Sequence, residues 1–142
     1  MSIFKRICSR QYFGFFIWGF KRFALSTFRH EQAKFLRVFI GSIYDFAIDM
    51  RITSKTFGKY VGFKLDTINN YALCIPEGFA HRFVSLKDNT KVHCKTTYYY
   101  NPEHKGFLLW NDPKINIQWL ILNKLKLNNQ DKFGLPSKDL YK

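Results

Sequence analysis

Three side chains in this sequence have the chemistry to move a proton or hold a charge in a shaped site. Lys34 opens an alternating run in QAKFLRVFI, His81 stands in AHRFVSL just after the turn residues Pro76-Glu77-Gly78, and Cys94 lies thirteen residues beyond His81 in KVHCK. Taken alone, Lys34 reads as a solvated lysine at a strand start. His81 reads as an inward, hydrogen-bonded core histidine as readily as a ligand-contacting one. Cys94 reads as a small buried residue, although a thiol can also give up a proton. The three cysteines, Cys8, Cys74 and Cys94, form neither a CxxC pair nor an even framework. That pattern favours free thiols in a reducing, cytoplasmic setting.

The elements that must position these groups are short strands. FLRVFIGSIYDFAIDMR (35–51) alternates on either side of a break at Gly41-Ser42, which predicts two strands around a turn. Further strands are predicted in GKYVGFKL (58–65), NNYALCI (69–75), AHRFVSL (80–86), KVHCKTTYYY (91–100) and INIQWLI (115–121). Turn residues separate them, and no amphipathic helical period competes. Aromatic residues make up 19% of the chain, which also leans toward β structure. Residues 123–142 are rich in Lys and Asn, contain Gly134 and Pro136, and read as an irregular tail. Short, evenly spaced strands in 142 residues predict one all-β sandwich or barrel.

The formal net charge of +13 points to an anionic partner: nucleic acid, an acidic membrane surface or a phosphorylated small molecule. Five of those charges, Lys5, Arg6, Arg10, Lys21 and Arg22, lie in residues 1–28, which contain no acid. Between them runs QYFGFFIWGF (11–20). It is too short for a transmembrane helix, which needs roughly 20 apolar residues. No small-residue cleavage site follows it, which argues against a signal peptide.

Four blocks carry a more specific message: QAKFLRVFIGSIYDFAIDMR (32–51), TFGKYVGFKL (56–65), IPEGFAHRFVSL (75–86), and YYNPEH (99–104) running on to LLWNDPKINIQW (108–119). In order and spacing they resemble the dTDP-4-dehydrorhamnose 3,5-epimerases, nucleotide-sugar isomerases of dTDP-L-rhamnose biosynthesis, over about residues 30–136. The resemblance implies a double-stranded β-helix, a cupin-like jelly roll, in a homodimer. It implies a dTDP-linked keto sugar as substrate and no cofactor or metal. The chemistry is proton removal alpha to the C4 ketone and return from the opposite face, at C3 and C5. That requires a base, an acid on the other side and a cation for the enolate oxygen.

Residue by residue, the resemblance makes Lys34 the cation, His81 a substrate contact and Tyr100 the aromatic that stacks on thymine. Asp131, in NNQDKFGLP, matches an aspartate that orients the base, and Gln130 stands at a neighbouring substrate-binding lysine position. Two positions depart from the pattern. Cys94 occupies the place of the proton-donor tyrosine, and a thiol there is shorter. Ala24 occupies the place of the base histidine of an LRGLH block, ten residues before Lys34, and cannot accept a proton.

The opening stretch has a reading that accounts for the second departure. One permitted reverse translation of residues 10–27, read one nucleotide later, gives D-N-I-S-V-S-S-F-G-V-L-R-G-L-H-F-Q. This resembles the family's missing block with its histidine at the right distance from Lys34. Residues 1–28 are therefore expected to be an out-of-frame, non-family segment. Residues 29–142 are expected to be an incomplete epimerase-like jelly roll lacking some N-terminal strands, with exposed sheet edges and impaired catalysis. Rival readings are a divergent sugar 3- or 5-epimerase that uses Cys94, and a non-catalytic basic β-domain that binds nucleotide or nucleic acid. Nucleic acid is disfavoured because so much of the charge lies in the foreign segment, and no membrane association is expected.

Overall fold

The computed structural model describes residues 8–16, 23–26, 32–97, 105–109, 111–118 and 134–139. Within these, nine strands form two antiparallel sheets: β1 (Cys8–Phe16), β2 (Phe23–Ser26), β3 (Lys34–Ile40), β4 (Ser42–Asp49), β5 (Tyr60–Asp66), β6 (Ala72–Ile75), β7 (Phe79–Ser85), β8 (Thr90–Thr96) and β9 (Lys105–Leu108). One sheet has the order β1-β8-β3-β6 and the other β5-β4-β7-β2-β9. This is the all-β architecture expected from the alternating pattern, in the cupin-like form that the family resemblance implied.

The break at Gly41 is the corner where the chain passes from one sheet to the other. Gly41 has φ +85°, and a Cβ there would collide with the Thr90 side chain, so the corner needs glycine on two counts. From this corner β3 and β4 run into facing sheets. Their inward residues, alternating along each strand, meet in a buried cluster of Leu36, Val38, Ile43, Ala47, Leu65, Ile75, Phe83 and Val92.

β4 is buried on both faces. Ile43 and Ala47 look into the sandwich, while Phe46 and Ile48 join Met50, Ala80, Val84, Leu108 and Ile115 in a second cluster on the outside of the sheet. That outer face is covered by the chain after β9. Asp112, buried, accepts hydrogen bonds from the backbone N–H groups of Lys114 (2.8 Å), Ile115 (3.2 Å) and Ser137 (2.5 Å). A parallel bridge between Leu108 and Leu135 and a 3-10 turn at Ser137–Asp139 complete the cover.

Several expectations are corrected. Residues 115–118 form no strand: Asn116 has φ +46°, which breaks an extended run, and Ile115 and Ile117 pack onto the outer cluster instead. Residues 119–121 of that predicted strand, and 98–100 of the predicted 91–100 strand, lie outside the described residues. β9 was not predicted. The edge of β8 is not left bare, because the apolar N-terminal segment supplies β1 along it, with Tyr12 opposite Cys94 and Phe13 opposite His93. Residues 23–26 supply β2, between β7 and β9.

Candidate active site

Each candidate site residue sits on a strand whose period-two alternation decides which way it faces. On β3, Lys34 shares the face of Leu36 and Val38, so it looks into the sandwich and is 9% exposed. A buried ammonium is costly unless it has a counter-group or a polar ligand. Lys34 pairs in register with Thr96 on β8 and Ile75 on β6. Cys94, two residues before Thr96 on β8, packs against the inner cluster from the same side and is partly exposed. Its Sγ lies 4.0 Å from the Lys95 carbonyl, a weak contact at most.

From the facing sheet comes His81, on β7. It shares the inward face of Phe83, and its Nδ1 lies 3.2 Å from Asp45 Oδ2. Asp45 is on β4, alternating with Ile43 and Ala47, and is fully buried. Its other carboxylate oxygen makes no hydrogen bond among the described residues. Asp45 was not singled out in the sequence. The signal was there: a carboxylate on the apolar face of a strand, in IYDFA, is rarely buried without a role for its charge. His81 stands opposite Ala47 on one side and Ala24 on the other, so the two alanines and the histidine form one row across three strands.

Thus the fold brings Lys34, Cys94, His81 and Asp45 to the inner faces of two facing sheets and sets position 24 beside His81. Tyr100, Gln130 and Asp131 lie outside the described residues. No group of three or more His, Cys, Asp or Glu able to hold a metal occurs among the described residues. No helix among them is long and apolar enough to cross a membrane, which says nothing about strands.

A second polar cluster braces one rim of the site. Asp49, at the end of β4, accepts from Arg51 Nε (2.9 Å) and Nη2 (2.7 Å), Ser54 Oγ (2.6 Å) and Thr56 Oγ1 (2.6 Å). Arg51 in turn lies over the Phe79 ring at 4.8 Å, and Phe79 packs on the inner cluster. The Arg51 guanidinium, helped by the two hydroxyls and against the cost of burial, holds the Asp49 carboxyl far below the usual carboxylate range. For Asp112, burial pushes the carboxyl up, but hydrogen bonds from Ser137, Lys114 and Ile115 outweigh it and the net shift is downward. Burial, with the nearby Lys95 charge, pushes the His93 imidazole down.

These shifts give a pH signature. Carboxyls lowered in the folded state contribute stability above about pH 4, the unfolded value, and lose it as pH falls toward the folded value. A lowered histidine contributes above about pH 6.5 and loses it below. Melting temperature is expected to be flat from pH 8 to about 6.5, to decline slightly below that, and to fall steeply below about 4. Asp49→Asn should flatten the acid limb, and an unchanged acid limb in that variant would rule out Asp49 as a contributor.

The inner face of this jelly roll thus carries a buried lysine and a carboxylate-paired histidine, side chains whose chemistry can hold negative charge or move a proton. Residues 24–139 match the family model described as dTDP-4-dehydrorhamnose 3,5-epimerase, and the chain belongs to that family. It is 48% identical over 105 residues to the dTDP-4-dehydrorhamnose 3,5-epimerase of Neisseria gonorrhoeae, covering 74% of this chain and 32% of that one. Among solved structures it is similar to the dTDP-4-dehydrorhamnose 3,5-epimerase of Elizabethkingia anophelis, with TM-score 0.83, 32% identity, and 92% and 72% of the two chains covered. It is also similar to the dTDP-6-deoxy-D-glucose-3,5-epimerase of Legionella pneumophila in complex with dTDP-4-keto-L-rhamnose, with TM-score 0.88, 29% identity, and 96% and 72% covered. The chain spans 32%, 59% and 56% of the lengths of the first three curated relatives it matches, less than two thirds of each.

Proposed function

We propose that this chain is a catalytically impaired dTDP-4-dehydrorhamnose 3,5-epimerase. It binds dTDP-4-dehydro-6-deoxy-D-glucose between the two sheets and inverts C3 and C5 slowly or not at all. The observation that carries this reading is the pairing of a preserved site with two lost groups. Lys34 and His81 face inward from opposite sheets, with Ala24 in register with His81; by the sequence resemblance, Ala24 and Cys94 take the places of the family's base and acid.

Lys34 holds the ammonium beside the C4 oxygen, where charge develops as the alpha proton leaves. His81 contacts the sugar. Tyr100 stacks on the thymine, Asp131 orients a base that is absent here, and Gln130 takes a place beside the substrate. The protein works in the cytoplasm as a homodimer. Residues 1 to about 28 are an out-of-frame translation of an epimerase gene. The family match starts at residue 24, so it leaves residues 1–23 unmatched and overlaps the last few residues of this segment. The DNA of the locus is the direct check: codons that do not spell GVLRGLHFQ in the shifted frame would end the out-of-frame reading.

Two measurements test the function itself. Calorimetric titration with dTDP should show binding, and proton NMR of the keto sugar should show epimerisation far below the 1–10³ s⁻¹ typical of enzymes. Turnover within that range would refute impairment, and absence of dTDP binding would refute the substrate assignment.

A further inference from the structure

Asp45 has no part in the reading above, yet it is fully buried and its only hydrogen bond among the described residues is the 3.2 Å contact with His81 Nδ1. A buried carboxylate on an imidazole nitrogen is the arrangement that selects one histidine tautomer. Nδ1–H donates to the carboxylate, Nε2 becomes the basic nitrogen, and the carboxylate stabilises the imidazolium that forms when Nε2 takes a proton. The pair lies on the inner face, one strand away from Ala24. Ala24 is the register partner of His81 on β2, and an alanine has no imidazole to act as a base.

We propose that Asp45 and His81 form a general-base dyad that exchanges the substrate's alpha proton with solvent without inverting the carbon. The inference rests on the reading that a dTDP-linked 4-keto sugar occupies the inner face. In the step, the Nε2 lone pair takes the proton from the carbon alpha to the ketone. The C–H pair becomes the enolate C=C, and the carbonyl π pair moves onto oxygen beside the Lys34 ammonium. The imidazolium trades its proton with water and returns one to the same face, re-forming the ketone. Water is the only other reactant. His81 is the catalytic residue in this step and Asp45 is its positioning residue.

The experiment incubates the full chain with dTDP-4-dehydro-6-deoxy-D-glucose in D₂O and follows C3–H and C5–H by proton NMR, with dTDP affinity measured in parallel. The expected result is loss of one alpha-proton signal, faster than in buffer, with couplings that report unchanged configuration. His81→Asn should lower the exchange rate about 10²-fold or more, the scale of general-base catalysis. Asp45→Asn should lower the saturated exchange rate at least tenfold while leaving dTDP affinity unchanged, a split that a merely structural role would not produce. Binding with exchange at the buffer rate would overturn the dyad and leave the substrate reading standing, whereas no binding would overturn both. Exchange that survives His81→Asn but disappears in Cys94→Ala would also overturn it.

Discussion

Ala24→His combined with Cys94→Tyr is expected to raise 3,5-epimerisation by about 10³-fold or more over the unaltered chain. A positioned acid or base contributes roughly 10²–10⁴-fold, and groups that act in one reaction combine non-additively, so each single substitution should recover little. The structure favours both changes. Position 24 lies on β2 in register with the inward-facing His81. Cys94 lies on β8 between Tyr12 and Leu36, facing inward but partly exposed, which gives a longer side chain an outlet from the packed cluster. Tyrosine also suits a strand. The cost of overfilling the cluster is about 1–3 kcal/mol. Proton NMR of dTDP-4-dehydro-6-deoxy-D-glucose would show new signals of the doubly inverted sugar. If the double variant binds dTDP and still does not turn over, the defect lies elsewhere than in these two positions.

Leu36→Ala is expected to destabilise the fold by about 2–5 kcal/mol, the range for emptying a buried leucine site. Leu36 is fully buried at the centre of the inner cluster, on a strand paired on both sides, opposite Cys94 and Leu73. Strands on both flanks limit how far the site can collapse around the lost methyl groups. Against a typical total of 5–15 kcal/mol, such a loss removes a large share of stability. A thermal melt should move down by about 10 °C or more. A shift of only a degree or two would mean that the inner cluster is not the core that closes the two sheets.

How much of this was legible beforehand varies by element. The pair of strands around Gly41 was plain, because alternation on both sides of a glycine reflects local stereochemistry. The other central strands followed from turn residues such as Pro76-Glu77-Gly78 and Asn89, which take the positive φ angles their turns need at Gly78 and Asn89. Lys34 and His81 were found as members of motifs, not from their own properties.

Asp45 was missed because its meaning depends on a partner 36 residues away, across β4 and β7. The apparent strand at INIQWLI misled for a related reason. Ile115 and Ile117 are apolar because they cover the outer face of a sheet made from distant residues, not because they extend a ladder of their own. The strand over Cys8–Phe16 is the reverse case. Aromatic-rich sequence has β propensity whatever its origin, and a free edge on β8 was available to pair it.

The amino-acid sequence by itself determined the all-β class, the break between strands at Gly41, the family and the candidacy of Lys34, His81 and Cys94, because period, turn chemistry and motif spacing are local properties of the chain. The tertiary structure alone decided that both faces of β4 are buried, that Lys34 looks inward rather than into solvent, that His81 is held by Asp45, and that Ala24 stands beside that pair. Those facts arise from packing two sheets face to face and from strand register. They join residues far apart in the chain, and no local pattern encodes which of them will meet.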